Sequence, residues 1–400
     1  MAEQGKDIPR PPHPQKRREQ RMCRSSSKPT VLMKRQEGGI LAINAGSSTI
    51  KVALFESVEP SRRVADDVIE LGKRGDAGGL FLGRLERLVD LGGVRAVGHR
   101  VAFGMEHFKP ERVTPALLSK LRRWLVYDPD HLPLELDLIE AFRRRRRGLV
   151  QIVCYDTAFH QGMPRAAKML PIPRGLEAQG IRRYGFHGLS YAYLMRELSR
   201  AAGSAAARGR VILAHLGSGS SLAAVRGGKS VDTSMGFSTA SGVMMGTRTG
   251  DIDPGVLCYL LRRHRWTAER LIRMVHHESG LLGVSETSSD MRELLSREGS
   301  DVRAAEAVDL FCRQVRKAIG AFAAALGGLD TLVFSGGIGE NSAPIRERVC
   351  EGLGFLGVRL DRKRNAERAG LISKGRVAVR VIRTDEELMI ARLAASVLAP

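Results

Sequence analysis

Apolar residues in this chain fall into two spacings. Short unbroken runs, each ended by Gly, Ser or Asn, predict strands at 39–44, 50–56, 94–98, 150–154, 210–216, 221–226, 331–335 and 378–382. Between them, apolar positions recur every three or four residues. That spacing predicts helices at 77–91, 115–125, 133–146, 188–202, 254–264, 267–278, 302–326, 343–352 and 384–398. Segment 302–326 has the clearest amphipathic stripe, with Ala-rich last turns suited to close helix packing. GSAAAR at 203–208 reads as a loop, and the Pro-rich segment 164–174 as the passage between two halves. Strands followed by helices predict an α/β fold.

The ends of the apolar runs carry the next signal. LAINAGSSTIK at 41–51 is a strand, a Gly/Ser turn and a second strand, which predicts a hairpin. A turn of such small residues offers free N–H groups and hydroxyls to a phosphate, or is simply tight. VILAHLGSGSSLAAV at 211–225 repeats the arrangement, and LVFSGGIGEN at 332–341 adds a third Gly-rich turn after an apolar run. Two similar hairpins in two halves predict a duplicated domain with a nucleotide clamped between the copies. None of the turns has the GxxxxGK[ST] spacing of a P-loop, and GGIGEN is not a GxGxxG dinucleotide fingerprint.

Composition narrows the class. Four hundred residues with 43% hydrophobic content fit two globular domains. The net charge of +21 comes mostly from arginine, including RRRRR at 143–147. Residues 1–37 hold ten Lys/Arg against four Asp/Glu and little apolar periodicity, so they read as a disordered basic extension. Translation from Met33 is the alternative. With no aromatic interleaving and no nucleic-acid motif, the basic charge reads as a solvated surface rather than a nucleic-acid site. Five scattered cysteines without a CxxC pair predict reduced thiols and a cytoplasmic protein. No stretch has the length of a membrane span, and the N-terminus lacks the apolar region of a secretory signal.

Several polar residues stand where a core would not choose them. GHRVAFG places Arg100 at a strand end, where its planar fork would grip a carboxylate or phosphate or form a structural ion pair. CYDTAFH ends a strand in Asp156, which could orient substrate, bind a metal or cap the following turn. YGFHG holds His187, a core residue or a functional one. The long Gly/Ser/Thr-rich loop 234–254 carries Arg248, and loops of this length are commonly functional. TDEELMIA opens the last helix with Thr384 at the cap, and a capping box accounts for its acids as well as a metal site would. No Ser-His-Asp order, metal-ligand spacing or carboxylate pair competes. Phosphate turns, two Arg, a His and an Asn/Asp/Glu set for Mg²⁺ together suit phosphoryl transfer, which depends on positioning and charge neutralisation.

INAGSSTIK, GHRVAFGMEHF, CYDTAFH, RRYGFHGLSY, AHLGSGSSLAAV, SMGFSTASGVMMGTRTGDIDP, SSDMREL, FSGGIGEN and RTDEELMIAR occur in that order. Together they closely resemble the acetate kinase family, within the actin, Hsp70 and sugar-kinase superfamily, over residues 38–400. The resemblance implies two duplicated ribonuclease H-like, actin-like ATPase domains around a cleft: 38–157 with 388–400, and 158–387. It implies reversible phosphorylation of acetate by ATP with Mg²⁺ or Mn²⁺, giving acetyl phosphate and ADP, in a homodimer. Matching positions assign Asn44 and Glu386 to the metal and Arg100 to the carboxylate. Arg248 matches the charge on the transferring phosphoryl, His187 a hydrogen bond to it, and Asp156 the positioning of substrate and metal. Ser47, Thr49 and Lys51 match the first phosphate turn, and His215, Gly217, Ser218 and Gly219 the second. Asp290, Met291 and Arg292 match an adenosine-contacting stretch, with Gly336, Gly337, Ile338 and Asn341 under the nucleotide.

The chain departs from the family at several of these places. Ser218 replaces an Asn, and Thr49 a Ser. HRVAFGM stands for HRVVHGG, and DPDHLP for PLHNP, which gives His131 a supporting role after a small shift. In the acyl pocket Phe186 is retained, Ala102 replaces Val and Thr239 replaces Pro. Val→Ala removes two methyl groups, so propionate joins acetate as an expected substrate. The alternatives are a butyrate or other short-chain acid kinase, and a weakened scaffold that binds nucleic acid.

Overall fold

The computed structural model describes residues 38–46, 49–56, 62–70, 77–88 and 90–399. The basic extension 1–37, with Met33, and Ser47 in the first turn lie outside the described residues.

Strands β1 (Gly39–Ala45), β2 (Thr49–Phe55), β3 (Arg63–Glu70), β4 (Val94–Val101), β5 (Glu111–Arg112) and β6 (Val150–Tyr155) form one sheet, in the order β3-β2-β1-β4-β6-β5. Strands β7 (Arg210–Leu216), β8 (Ser220–Arg226), β9 (Lys229–Thr233), β10 (Thr331–Ser335) and β11 (Ala378–Val381) form a second, in the order β11-β10-β7-β8-β9. The two sheets share one plan. In each, a hairpin (β1/β2 or β7/β8) has a third antiparallel strand outside it, and two parallel strands follow on the other side. The duplication expected from the repeated Gly/Ser hairpins is therefore present in the strand order.

Both sheets are covered on both faces, which is why their central strands read as unbroken apolar runs. Along β1 the side chains alternate. Leu41 and Ile43 pack with Phe81, Leu85, Leu138 and Phe142, from helices Ala77–Leu88 and Leu132–Arg145. Ile40 and Ala42 meet Leu388, Ile390, Ala391 and Ala394 of the C-terminal helix Glu386–Leu398. A Cβ on Gly98 would lie 2.6 Å from Ile390 Cγ2, so the missing side chain lets this helix lie close on β4. In the second sheet, the predicted long helix Val302–Leu326 covers one face and Gly188–Arg208 the other.

The helix from Gly188 runs on to Arg208, with a kink at Gly203 (φ 84°), so 203–208 is helical and not the expected loop. Ala and Arg favour helix strongly enough to resume it after the glycine. The last helix is capped by Asp385, which accepts from Leu388 N at 2.9 Å, and not by Thr384. Four described cysteines are free thiols, and Cys23 lies outside the described residues. Among the described residues, no helix is long and apolar enough to cross a membrane.

Candidate active site

A cavity of about 530 Å³ gathers residues from both halves: the two hairpin turns, the ends of β4 and β10, the 239–248 loop and the start of the C-terminal helix. Each hairpin turn is closed by its own backbone: Gly46 N donates to Thr49 O at 2.8 Å, and Gly217 N to Gly219 O at 3.1 Å. Thr49, Lys51, His215, Gly217, Ser218 and Gly219 line the wall, joined by Gly336 and Gly337 where β10 turns into the helix Gly336–Asn341. Gly336 has φ 76°, and a Cβ there would sit 2.6 Å from Leu216 O, so the turn requires glycine.

On the first-sheet side, Asn44 ends β1 with its amide donating to Glu386 Oε2 (2.7 Å) and Glu387 Oε1 (2.8 Å). These acids reach β1 because the C-terminal helix packs under the sheet with its N-terminus, the positive end of its dipole, at the cavity. Burial raises the Glu387 carboxyl, and Glu386 beside it adds to the rise. Arg63 on β3 counters these charges, 2.5 Å from Asp385 and 3.8 Å from Glu387, with its guanidinium over the Phe55 ring.

Arg100 is 9% exposed. It donates to Ala45 O (2.7 Å) and Asp156 Oδ2 (3.0 Å), with Glu135 Oε1 at 3.7 Å. Burial opposes its charge, but Asp156, Glu135 and Glu386 more than compensate, so its pKa is raised. Asp156 is also saturated by His187 N (2.9 Å) and Leu189 N (3.1 Å). The geometry gives Asp156 a part the sequence did not suggest: it holds Arg100 and accepts from the backbone at the start of the helix that follows His187. It lies behind the cavity wall. Glu135, in the first turn of its helix, was not legible in the sequence. It accepts from Ala102 N with both oxygens at 3.1 Å, and burial raises its pKa against the pull of Arg100.

His187 and His215 stack with ring centroids 4.3 Å apart. His187 takes a positive φ of 58° ahead of its helix, a strained conformation fixed by the Asp156 contacts. Its Nδ1 meets Ser221 Oγ at 2.9 Å, and His215 Nδ1 meets Ser190 Oγ at 2.8 Å. A Cβ on Gly219 would lie 3.3 Å from His187 Nε2 and 3.6 Å from an Arg248 guanidinium nitrogen, so this glycine keeps a gap in front of both. Burial lowers both imidazole pKa values. For His187 the nearby His215, Arg100 and Arg248 lower it further, so the ring is neutral at pH 7.

Arg248 has no ion pair among the described residues. Its guanidinium reaches Thr239 O (3.4 Å) and Met245 Sδ (3.8 Å), and burial lowers its pKa, with Asp130 and Asp128 offsetting this in part. A half-buried guanidinium with no carboxylate in contact is suited to an incoming anion.

Phe186, Thr239 and His131 also line the cavity, His131 with Nδ1 2.9 Å from Asp128 Oδ1. Ala102 is fully buried behind the wall. Five expected nucleotide contacts, Asp290, Met291, Arg292, Ile338 and Asn341, lie off the wall with other partners. Asp290 caps Met291–Arg297 and pairs with Arg292 at 2.6 Å, and Met291 enters the second core. Asn341 donates to Gly337 O and accepts from Arg368. Ile338 packs against the second core.

Residues 80–392 match the profile of the acetokinase family. The chain is 43% identical over 389 residues to an acetate kinase of Rhodopseudomonas palustris, covering 88% of this chain and 96% of that one. It is 42% identical over 384 residues to a propionate kinase of Citrobacter rodentium, covering 88% and 95%. The structure is similar to that of Porphyromonas gingivalis acetate kinase, with TM-score 0.80 and 32% identity over 90% of this chain and all of that one. It is equally close to a Francisella tularensis propionate kinase, with TM-score 0.81 and 33% identity over 89% and 98%. The chain belongs to the acetokinase family.

Proposed function

We propose that the protein transfers the terminal phosphoryl group of ATP to a short-chain carboxylate, acetate and also propionate, reversibly giving an acyl phosphate and ADP. The observation that carries this is the pair of guanidiniums on one cavity, buried Arg100 held by carboxylates and half-buried Arg248 held by none. Arg100 grips the acid, whose carboxylate oxygen is already ionised, so no general base is required. As that oxygen bonds to the γ-phosphorus, the bond to the ADP oxygen breaks, and charge spreads over the three equatorial oxygens. Arg248 and neutral His187 face that charge. With Ser221 Oγ donating to Nδ1, His187 presents Nε2–H as a donor. Asp156 and Glu135 set the position of Arg100. Phe186 and Thr239 contact the acyl chain, and the similarity to propionate kinases supports propionate beside acetate. Closure of the two halves would exclude water from the cleft, so that the phosphoryl group meets the carboxylate rather than water.

The donor set suits Mg²⁺ or Mn²⁺. Asn44, Glu386 and Glu387 converge as hard oxygen-bearing groups, and the mutual repulsion that raises Glu387 is relieved by a cation. Among the described residues no three His, Cys, Asp or Glu make a closed cage, consistent with a cation that takes its remaining ligands from phosphates and water. When bound, that cation neutralises phosphate charge. The phosphate turns 46–51 and 217–219 with Gly336 and Gly337 would hold the nucleotide. Asp290, Met291, Arg292, Ile338 and Asn341 reach it only through a rearrangement.

We read 38–157 with 388–400 as one ATPase domain and 158–387 as the other. Helices Pro254–Arg263 and Ala268–His277 bury no residue, and leave Val256, Tyr259, Leu261 and Ile272 exposed. Apolar faces of this kind mark an interface, here a homodimer. A cytoplasmic location follows from the need for ATP.

The test is hydroxylamine trapping of acyl phosphate from ATP with acetate, propionate and butyrate in parallel. Mg²⁺-dependent signal with acetate and propionate is expected. Folded protein that binds ATP but yields no product with any acid would overturn the reading, and preference for butyrate would replace its substrate.

A further inference from the structure

Far from the cleft, at the end of helix Leu132–Arg145 and the start of β6, a second concavity of about 360 Å³ is lined by Arg112, Arg143, Arg146 and Arg147. Arg144 pairs with Glu140, and Arg145 and Arg146 share Glu86. Arg112, Arg143 and Arg147 have no side-chain hydrogen bond or ion pair among the described residues, and Arg146 Nε is buried without a partner. Three exposed basic residues on a helix end alone would be an ordinary complement to the helix dipole. Here a fourth arginine comes from a separate edge strand, β5, and faces the same hollow. Convergence from two elements is what a built site has and a solvated face lacks.

We propose that this hollow binds a small multivalent oxyanion of the polyphosphate class. Planar guanidinium forks match phosphate oxygens two at a time. Four forks around one concavity exceed what a single carboxylate can satisfy. No aromatic side chain lines the hollow, so it offers nothing on which a nucleobase would stack, and the recognised part is the oxyanion itself. The hollow connects to the catalytic centre. Its floor includes Gln151, whose Oε1 lies 2.9 Å from His99 Nε2, beside Arg100 on β4, and β6 leads from it to Asp156.

The experiment is calorimetric titration of the full chain with inorganic tripolyphosphate, with MgADP saturating the cleft. One site per chain is expected, weakening with added salt. Arg112→Ala/Arg143→Ala/Arg147→Ala should lose at least about tenfold in affinity, the equivalent of a single charged hydrogen bond lost among the three, with basal acyl phosphate formation unchanged. Arg143→Lys/Arg147→Lys keeps the charge without the forks and guards against misfolding. An intermediate loss is expected from it. Binding that neither variant changes would overturn the proposal. So would stoichiometric binding of a single-stranded oligonucleotide that outcompetes tripolyphosphate here, which would assign the hollow to nucleic acid.

Discussion

Arg248 shows how a single side chain is set against the stability of the fold. Its charge is partly desolvated and no acid contacts it, so the folded enzyme carries a cost that an anion removes. Arg248→Ala should lower kcat by about 10³-fold or more while leaving the melting temperature unchanged or raised. A parallel loss of both would contradict this. Asp156 has the opposite character. Its three hydrogen bonds fix Arg100 and the His187 turn. Asp156→Ala leaves a buried cation unpaired and should cost about 3–5 kcal/mol, read by urea denaturation. Four imidazoles, His99 and His160 buried and His187 and His215 half-buried, set an acid limit. His99 and His160 are held down to about 4, and His187 and His215 are also lowered, all chiefly by burial. Below about pH 6.5 the unfolded chain takes up protons that the folded one refuses, so stability falls with pH by up to about 1.4 kcal/mol per imidazole per unit. Glu135 and Glu387, raised by burial, oppose this as two groups against four. The urea midpoint should therefore drop between pH 7 and 5, and a flat profile would show that these rings titrate freely.

At the scale of elements, the catalytic loop rests on a neighbouring turn. Gly280 has φ 65°, and a Cβ there would lie 2.1 Å from Met245 O and 2.8 Å from Arg248 O. Gly280→Ala should cost more than about 1 kcal/mol and depress kcat together with it, because the only relief is to move the Arg248 backbone. Unchanged kcat in a destabilised variant would mean that the loop adapts. The elements themselves were mostly readable. The apolar runs marked eight of the eleven strands and the long helices. β3, β5 and β9 were missed: β3 carries Asp66 and Asp67 at the sheet edge, β5 is only two residues, and β9 (KSVDT) is mostly polar, so none shows an apolar run. The short helices Gly280–Ser285, Met291–Arg297 and Gly336–Asn341 lack the length in which a 3.6-residue period shows.

Across the whole molecule, two histidines of the second half meet Asp130 of the first: His276 Nδ1 lies 2.6 Å from Oδ2 and His277 Nε2 3.7 Å from Oδ1, and chiefly His276, against burial, holds the Asp130 carboxyl down to about 2. It ties the loop bearing His131 to the helix that flanks the Arg248 loop, where Thr247 Oγ1 donates to His276 O. Asp130→Asn should speed amide hydrogen exchange in both 128–131 and 268–277, and a change confined to one side would show no coupling. On the outer surface, Tyr259→Asp with Leu261→Asp should give a folded monomer in sedimentation velocity. A dimer that survives the pair would place the interface elsewhere.

The sequence by itself determined the α/β class, the duplicated hairpins and most residues that line the cleft. Those are properties of local pattern: strand ends, Gly/Ser turns and a positive or polar side chain interrupting an apolar run. Tertiary structure decided the partners. That Glu386 and Glu387 meet Asn44, across more than three hundred residues, depends on the last helix packing under β1. That Glu135 supports Ala102, and that Met291 turns inward while Asp290 engages Arg292, depends on which face of each helix the core takes. Hydrogen bonds between side chains distant in sequence leave no periodicity to read, because the packing of apolar faces brings them together and leaves polar groups to pair with whatever it delivers.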